Sequence, residues 1–144
     1  MKGLFAMYIR KGLYSINYIL SSRLPVVLGK TKFAIKIIDG DKSYMSSERY
    51  ELFDKKGVKC ISCGLNGEYF AKEKHKGQKT NMWHFNLYGF DKFGNEVMLT
   101  KDHIIPKSLG VKDELSNYQT LCSNCNVKKG KQDVRKDEKS AKKY

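Results

Sequence analysis

Three stretches in the second half of the chain decide how it reads: Lys101-Asp102-His103-Ile104-Ile105-Pro106-Lys107-Ser108, Leu115-Ser116-Asn117-Tyr118-Gln119-Thr120-Leu121-Cys122 and Cys125-Asn126-Val127-Lys128-Lys129-Gly130. They carry the pair Cys122-x-x-Cys125, and the same spacing occurs upstream in Cys60-x-x-Cys63. One C-x-x-C alone is weak evidence, since it serves redox chemistry or simple burial equally well. Two such pairs separated by a long insertion have the spacing of a Cys₄ zinc site. Between and just beyond them stand Asp102, His103, Asn117 and Asn126, the residue types that bind a hard cation and activate water. Chain order thus brings a structural metal and a catalytic metal into one small unit.

The composition agrees with a polyanion as partner. The chain has 144 residues, one domain's worth, with 28 Lys and Arg against 15 Asp and Glu, a net charge of +13. Residues 1–59 carry twelve basic and five acidic groups for +7, residues 60–125 carry +1, and residues 126–144 carry +5. A nearly neutral centre lies between two basic flanks, which read as surfaces that grip a nucleic-acid backbone. For any single lysine, plain solubility is the competing explanation. Arg10 and Lys11 interrupt the apolar N-terminus, so no secretory signal is expected. No window reaches the ~20 apolar residues of a membrane span. A cytoplasmic location is therefore expected, where thiols stay reduced and paired cysteines favour metal.

Coarse elements follow from periodicity. Residues 3–20 fit neither the helical nor the strand period. Lys32–Ile38 places Phe33, Ile35 and Ile37 on one face of a strand that Gly40 closes. Ser46-Ser47-Glu48 opens a helix through about Lys55, ended by Gly57. Cys60–Gly64 is a metal knuckle, and the lysine-rich residues 71–81 are expected as an exposed loop. Trp83, Phe85 and Leu87 alternate with His84, Asn86 and Tyr88 in a half-buried strand. Asp91–Asn95 is turn chemistry, Glu96–Thr100 returns as a strand leading into Asp102-His103, and Tyr118–Leu121 enters the second knuckle. A helix is expected from Asn126 onward and a frayed, lysine-rich tail over 136–144.

On Asp-His-Ile-x-Pro-x-Ser, Leu-x-Asn-x-Gln-x-Leu-Cys and Cys-Asn-x-x-Lys-Gly, residues 58–131 resemble the HNH endonucleases. The resemblance implies an α+β fold with a ββα-metal core, two strands with a loop and a helix around one divalent cation. The Cys₄ site would brace this core like a zinc ribbon, behind a basic N-terminal extension. The expected organisation is a basic region 1–57, a nuclease domain 58–135 and a tail 136–144. Asn126 stands where the family more often has its third signature histidine, which makes this a His-Asn-Asn variant.

The implied activity is metal-dependent hydrolysis of DNA phosphodiesters. His103 would be the general base, since histidine, with an ordinary pKa of about 6.5, can accept a proton from water at neutral pH. Asp102 points oppositely on an extended chain. Together with the amide oxygen of Asn126 it gives an oxygen-only set suited to Mg²⁺ or Mn²⁺. By resemblance Asn117 pins the loop between the strands and so orients His103. Lys101, Lys107, Lys128, Lys129 and Lys131 would meet phosphate, and Cys60, Cys63, Cys122 and Cys125 would hold Zn²⁺. One site cuts one strand, so a monomer is expected to nick unless it dimerises or acts twice. Neither a membrane nor a small-molecule substrate is expected. The Lys, Ile, Asn and Tyr richness suggests an AT-rich phage or mobile-element source. The competing reading is a silent zinc-ribbon module that only binds nucleic acid; Asp102, His103 and Asn126 argue against it, because a binding module has no need of that trio. A redox protein is disfavoured because neither C-x-x-C lies in a thioredoxin-like context.

Overall fold

A computed structural model describes residues 7–26, 34–110 and 114–130. The main sheet has five strands in the order β1 (Tyr8–Tyr14), β4 (Tyr69–His75), β5 (His84–Phe90), β6 (Glu96–His103) and β7 (Tyr118–Cys122), each neighbouring pair antiparallel. A two-stranded hairpin, β2 (Ile35–Ile38) and β3 (Asp41–Tyr44), packs beside it. The helices are α1 (Ile16–Ser21), α2 (Glu48–Lys56) and α3 (123–130). The result is mixed α and β, and β1 lies in the same sheet as the strands that carry the motifs.

Local chemistry sets the boundaries. Ser47 caps α2 by accepting from the Arg49 N–H, Glu48 and Glu51 sit in the first turn, Lys55 and Lys56 in the last, and Gly57 ends the helix at φ +100°. Asp91 Oδ1 accepts the N–H groups of Phe93 and Asn95 and closes the β5–β6 turn. Both expected elements are present. At residues 8–21 the sequence has no single period because a seven-residue strand with a register break between Arg10 and Gly12 runs straight into a helix.

Four expectations are corrected. Residues 69–75 are a buried strand, not part of an exposed loop, with Lys72 and Glu73 only 0% and 1% exposed. Lys72 threads its stem through the core so that Nζ bonds the Ile38 carbonyl at 2.8 Å and Asp41 at 2.9 Å. Glu73 is met by Arg10, Asn86 and Tyr88. The strand at His84 is buried on both faces, because it lies at the centre of the sheet with packing on either side. The β2 strand begins at Ile35, and Lys32 and Phe33 fall outside the described residues; Ile35 and Ile37 turn outward while Ile38 enters the core. Finally, α3 starts at residue 123, so Asn126 lies inside its first turn and is not its N-cap. The tail 136–144 lies outside the described residues.

One face of the sheet carries the main core. Ile19 of α1, Tyr50, Leu52 and Phe53 of α2, and Ile38 and Met45 of the hairpin region cluster there with Phe70, Phe85, Leu87, Leu99 and Tyr118. Such fully buried side chains each stabilise by roughly 1.5–3 kcal/mol. On the other face Ala71, Tyr88 and Met98 form a smaller cluster beside the Arg10–Glu73–Glu96 ion pairs.

The sheet splits where function is expected. β6 pairs with β5 only as far as Leu99↔Leu87, then continues with β7 alone through His103↔Tyr118. At the split α2 takes over as neighbour: the Phe85 N–H donates to Tyr50 Oη at 2.9 Å, and the Arg49 guanidinium donates to the Phe85 carbonyl at 3.2 Å. The exposed backbone edge is thereby satisfied. The β6–β7 ribbon projects with Asp102 and His103 at its end.

Candidate active site and cysteine cluster

Alternation along β6 sends Asp102 and His103 to opposite faces. On one face, Lys101 Nζ lies 4.2 Å from the Tyr118 ring centre and the His103 ring meets Tyr118 edge-on at 5.1 Å. On the other, α3 covers Thr100 and Asp102. Asn126 Nδ2 donates to Thr100 Oγ1 at 3.1 Å, and Lys129, one turn later, donates to Asp102 Oδ2 at 2.7 Å. Gln119, opposite Asp102 in register, donates to the same oxygen at 2.9 Å. Asp102 is 9% exposed, and both of these partners donate to its Oδ2.

Asn117 is 6% exposed and works on the loop that leaves β6. Its Oδ1 accepts the Ile105 N–H at 2.9 Å and its Nδ2 donates to the Ile105 carbonyl at 3.1 Å, while its own carbonyl accepts the Ile104 N–H at 2.7 Å. Three bonds fix the two residues that follow His103.

The four cysteines converge although two come from the knuckle at residues 60–64 and two from the β7–α3 junction. One ligand atom from each of Cys60, Cys63, Cys122 and Cys125 lies within 4.8 Å of the others. A tetrahedron with 2.3 Å Zn–S arms has edges of about 3.8 Å, and the Cys63–Cys122 sulfurs stand 3.7 Å apart. Donor chemistry and spacing therefore fit zinc. Gly64, at φ +82°, turns the chain so that its N–H meets the Cys60 carbonyl at 3.0 Å. Burial pushes the Cys60 thiol upward, but the N–H groups of Cys122, Cys63 and Ser62 outweigh it and bring it down to about 6. Burial raises Cys122 to about 12. The cluster thus offers one thiolate readily at neutral pH, and a metal would supply the remaining driving force.

The donors around Asp102 also suit a hard cation. The Lys129 ammonium, a positive centre, is held by the Asp102 carboxylate and by the main-chain carbonyls of His103 and Ile104. Carboxylate, carbonyl and the nearby Asn126 amide are the oxygen types that Mg²⁺ and Mn²⁺ prefer.

The expected site residues thus divide. Asp102, His103, Asn117 and Asn126 come together at the ribbon's end and α3. Among the lysines, Lys128 is exposed, Lys129 turns inward, and Lys101 is paired with Glu48 at 3.3 Å. The Lys107 side chain and Lys131 lie outside the described residues. Sequence reasoning gave no role to Thr100, Gln119 or Tyr118, which hold Asn126, Asp102 and His103. Thr100 was within reach, since a residue two before Asp102 shares its face; the partners on β7 required the register.

Among the described residues no helix is long and apolar enough to cross a membrane. Residues 89–132 match a family model described as HNH endonuclease, a span that takes in the end of β5, all of β6 and β7, the loop between them and α3. No curated protein and no solved structure matches the chain.

Proposed function

We propose, from the match of residues 89–132 to the HNH endonuclease family model, that this protein hydrolyses DNA phosphodiester bonds with His103 as general base and Asp102 and Asn126 as ligands of one Mg²⁺ or Mn²⁺. The observation that carries the reading is the meeting of Asp102-His103, at the end of the projecting ribbon, with Asn126 and Lys129 on α3. Asp102 and His103 leave opposite faces of β6 at its very end, so a phosphate lying across that end is approached by both.

His103 takes the proton of the attacking water, and Tyr118 against its ring restricts the orientations of the imidazole. Asn117 sets the loop beyond it and acts as a positioning residue. A divalent cation on Asp102 and Asn126 would neutralise charge that develops on the phosphorane and the leaving oxygen. Zinc on the four cysteines would brace α3 against the knuckle, and the basic flanks, with Lys101, Lys107, Lys128 and Lys131, would hold the DNA backbone. The protein works in the cytoplasm, and one copy nicks; cutting both strands takes two copies or two encounters.

Supercoiled plasmid incubated with the purified protein tests this. With Mg²⁺ the plasmid should convert to the nicked form, and EDTA should stop conversion. His103→Ala should bind DNA and retain zinc while cleaving ~10²–10⁴-fold more slowly. DNA binding without any cleavage by the native protein would leave a silent zinc-bearing binding module in its place.

A further inference from the structure

Among the described lysines near the site, Lys129 differs in what it touches. Its ammonium has three donors and three oxygens around it: Asp102 Oδ2 at 2.7 Å, the His103 carbonyl, and the Ile104 carbonyl at 3.4 Å. The side chain is 24% exposed, whereas Lys128, the preceding residue, points into solvent. One side chain on α3 therefore grips the carboxylate, the base residue's own backbone and the loop behind it. Asn126 lies three residues earlier on the same helix and shares that face.

We propose that Lys129 is a positioning residue that competes with the divalent cation for Asp102: its ammonium holds Asp102 and the backbone at His103 in register with α3, and it must swing off Oδ2 when the ion binds, which frees it for a DNA phosphate. This rests on the nuclease reading, and specifically on Asp102 as a metal ligand. The competition follows from charge. An ammonium and a divalent ion on one carboxylate, in a pocket half shut from water, repel each other, and this repulsion drives the ammonium off. The lysine stem has four rotatable carbons, so Nζ can travel several ångströms while the helix stays in place. Gln119, the other donor to Oδ2, is neutral and has no such conflict.

The test is Mn²⁺ titration of zinc-loaded protein, followed by the electron paramagnetic resonance of free Mn²⁺. Lys129→Gln should bind Mn²⁺ more tightly than the native protein by on the order of tenfold, the size of an ordinary coupling between two ligands. Lys129→Arg, which keeps the charge, should stay near native, and Asp102→Asn should lose the site. In the native protein, acetylation of Lys129 read by peptide mass spectrometry should rise several-fold when Mg²⁺ is added, with Lys128 as internal reference. Equal or weaker Mn²⁺ binding by Lys129→Gln overturns the competition and leaves the nuclease reading standing. Native protein that binds no Mn²⁺ beyond its zinc overturns both. If Lys129→Gln loses its zinc and fold, the acetylation result decides alone, and unchanged reactivity of Lys129 on adding Mg²⁺ sinks the proposal.

Discussion

Asn117 shows how much one side chain can decide. Its amide pairs with both the N–H and the carbonyl of Ile105, and Asn117 itself is only 6% exposed. Asn117→Ala removes both bonds and leaves the backbone of a tight loop unsatisfied, a change that costs roughly 1–3 kcal/mol locally. The expected result is faster hydrogen exchange at the Ile105 amide, native zinc content and slower plasmid nicking. Protection of Ile105 at the native level would show that the loop is held by something else. At this scale the sequence was informative wherever a residue type has few uses. Paired cysteines, and an aspartate beside a histidine before a proline, have few bland explanations. Lys129 was not legible in the same way, because a lysine near a helix start reads as phosphate-facing until the structure shows it turned onto Asp102. Gln119 and Thr100 were hidden for a related reason: each is common, and each matters only through the strand register that places it opposite a site residue.

Among the elements, the turns and helix ends were the legible part and the strand environments were not. Serine caps, the Asp91–Asn95 turn and the helix-ending Gly57 act through local bonds that a short window contains. The burial of β4 is set by partners distant in sequence, Ile38, Asp41, Arg10 and Tyr88, so its lysines looked like surface. The strap that leads out of the first knuckle makes the same point and gives a prediction. It crosses β5 at Gly89, where a Cβ would stand 2.0 Å from the Asn66 carbonyl oxygen and 2.7 Å from Leu65. Backbone cannot yield there without moving, and the strap is also tied by Glu68 N–H to the Tyr88 carbonyl at 2.7 Å and by Gly67 N–H to the Val58 carbonyl at 2.8 Å. Gly89→Ala should therefore push Cys60 and Cys63 away from Cys122 and Cys125 and weaken zinc retention during chelator challenge. The expected loss of stability is at least the 1–3 kcal/mol of ordinary overpacking. Chelator resistance equal to native would mean that the knuckle is positioned independently of β5.

Across the described residues, the main core joins the N-terminal strand and helices to the ribbon that carries the candidate site, so conditions that loosen the sheet should reach that site as well. His84, at the start of the central strand, makes this a matter of pH. Burial, followed by the positive charges of Arg49 and His75, holds its pKa down at about 4, well below the ordinary value of about 6.5. Its register partner Glu73 offers little relief, because that carboxylate already serves Arg10, Asn86 and Tyr88. The sign follows from proton uptake. Between pH 6.5 and 4 the unfolded chain protonates this histidine and the folded chain does not, so stability is complete above about 6.5 and declines as pH falls toward 4. Near pH 5 the decline from this residue amounts to roughly 1–2 kcal/mol after allowance for its partial exposure. Acid would also protonate the thiolates of a metal-loaded cysteine cluster, so the contribution must be isolated by difference. Urea unfolding of native protein and His84→Gln at pH 7 and pH 5 does this, since both proteins carry the same cysteines. The variant should lose less stability than the native protein over that interval, by about the amount given. Equal losses in the two proteins would show that His84 gains its proton without strain in the folded sheet.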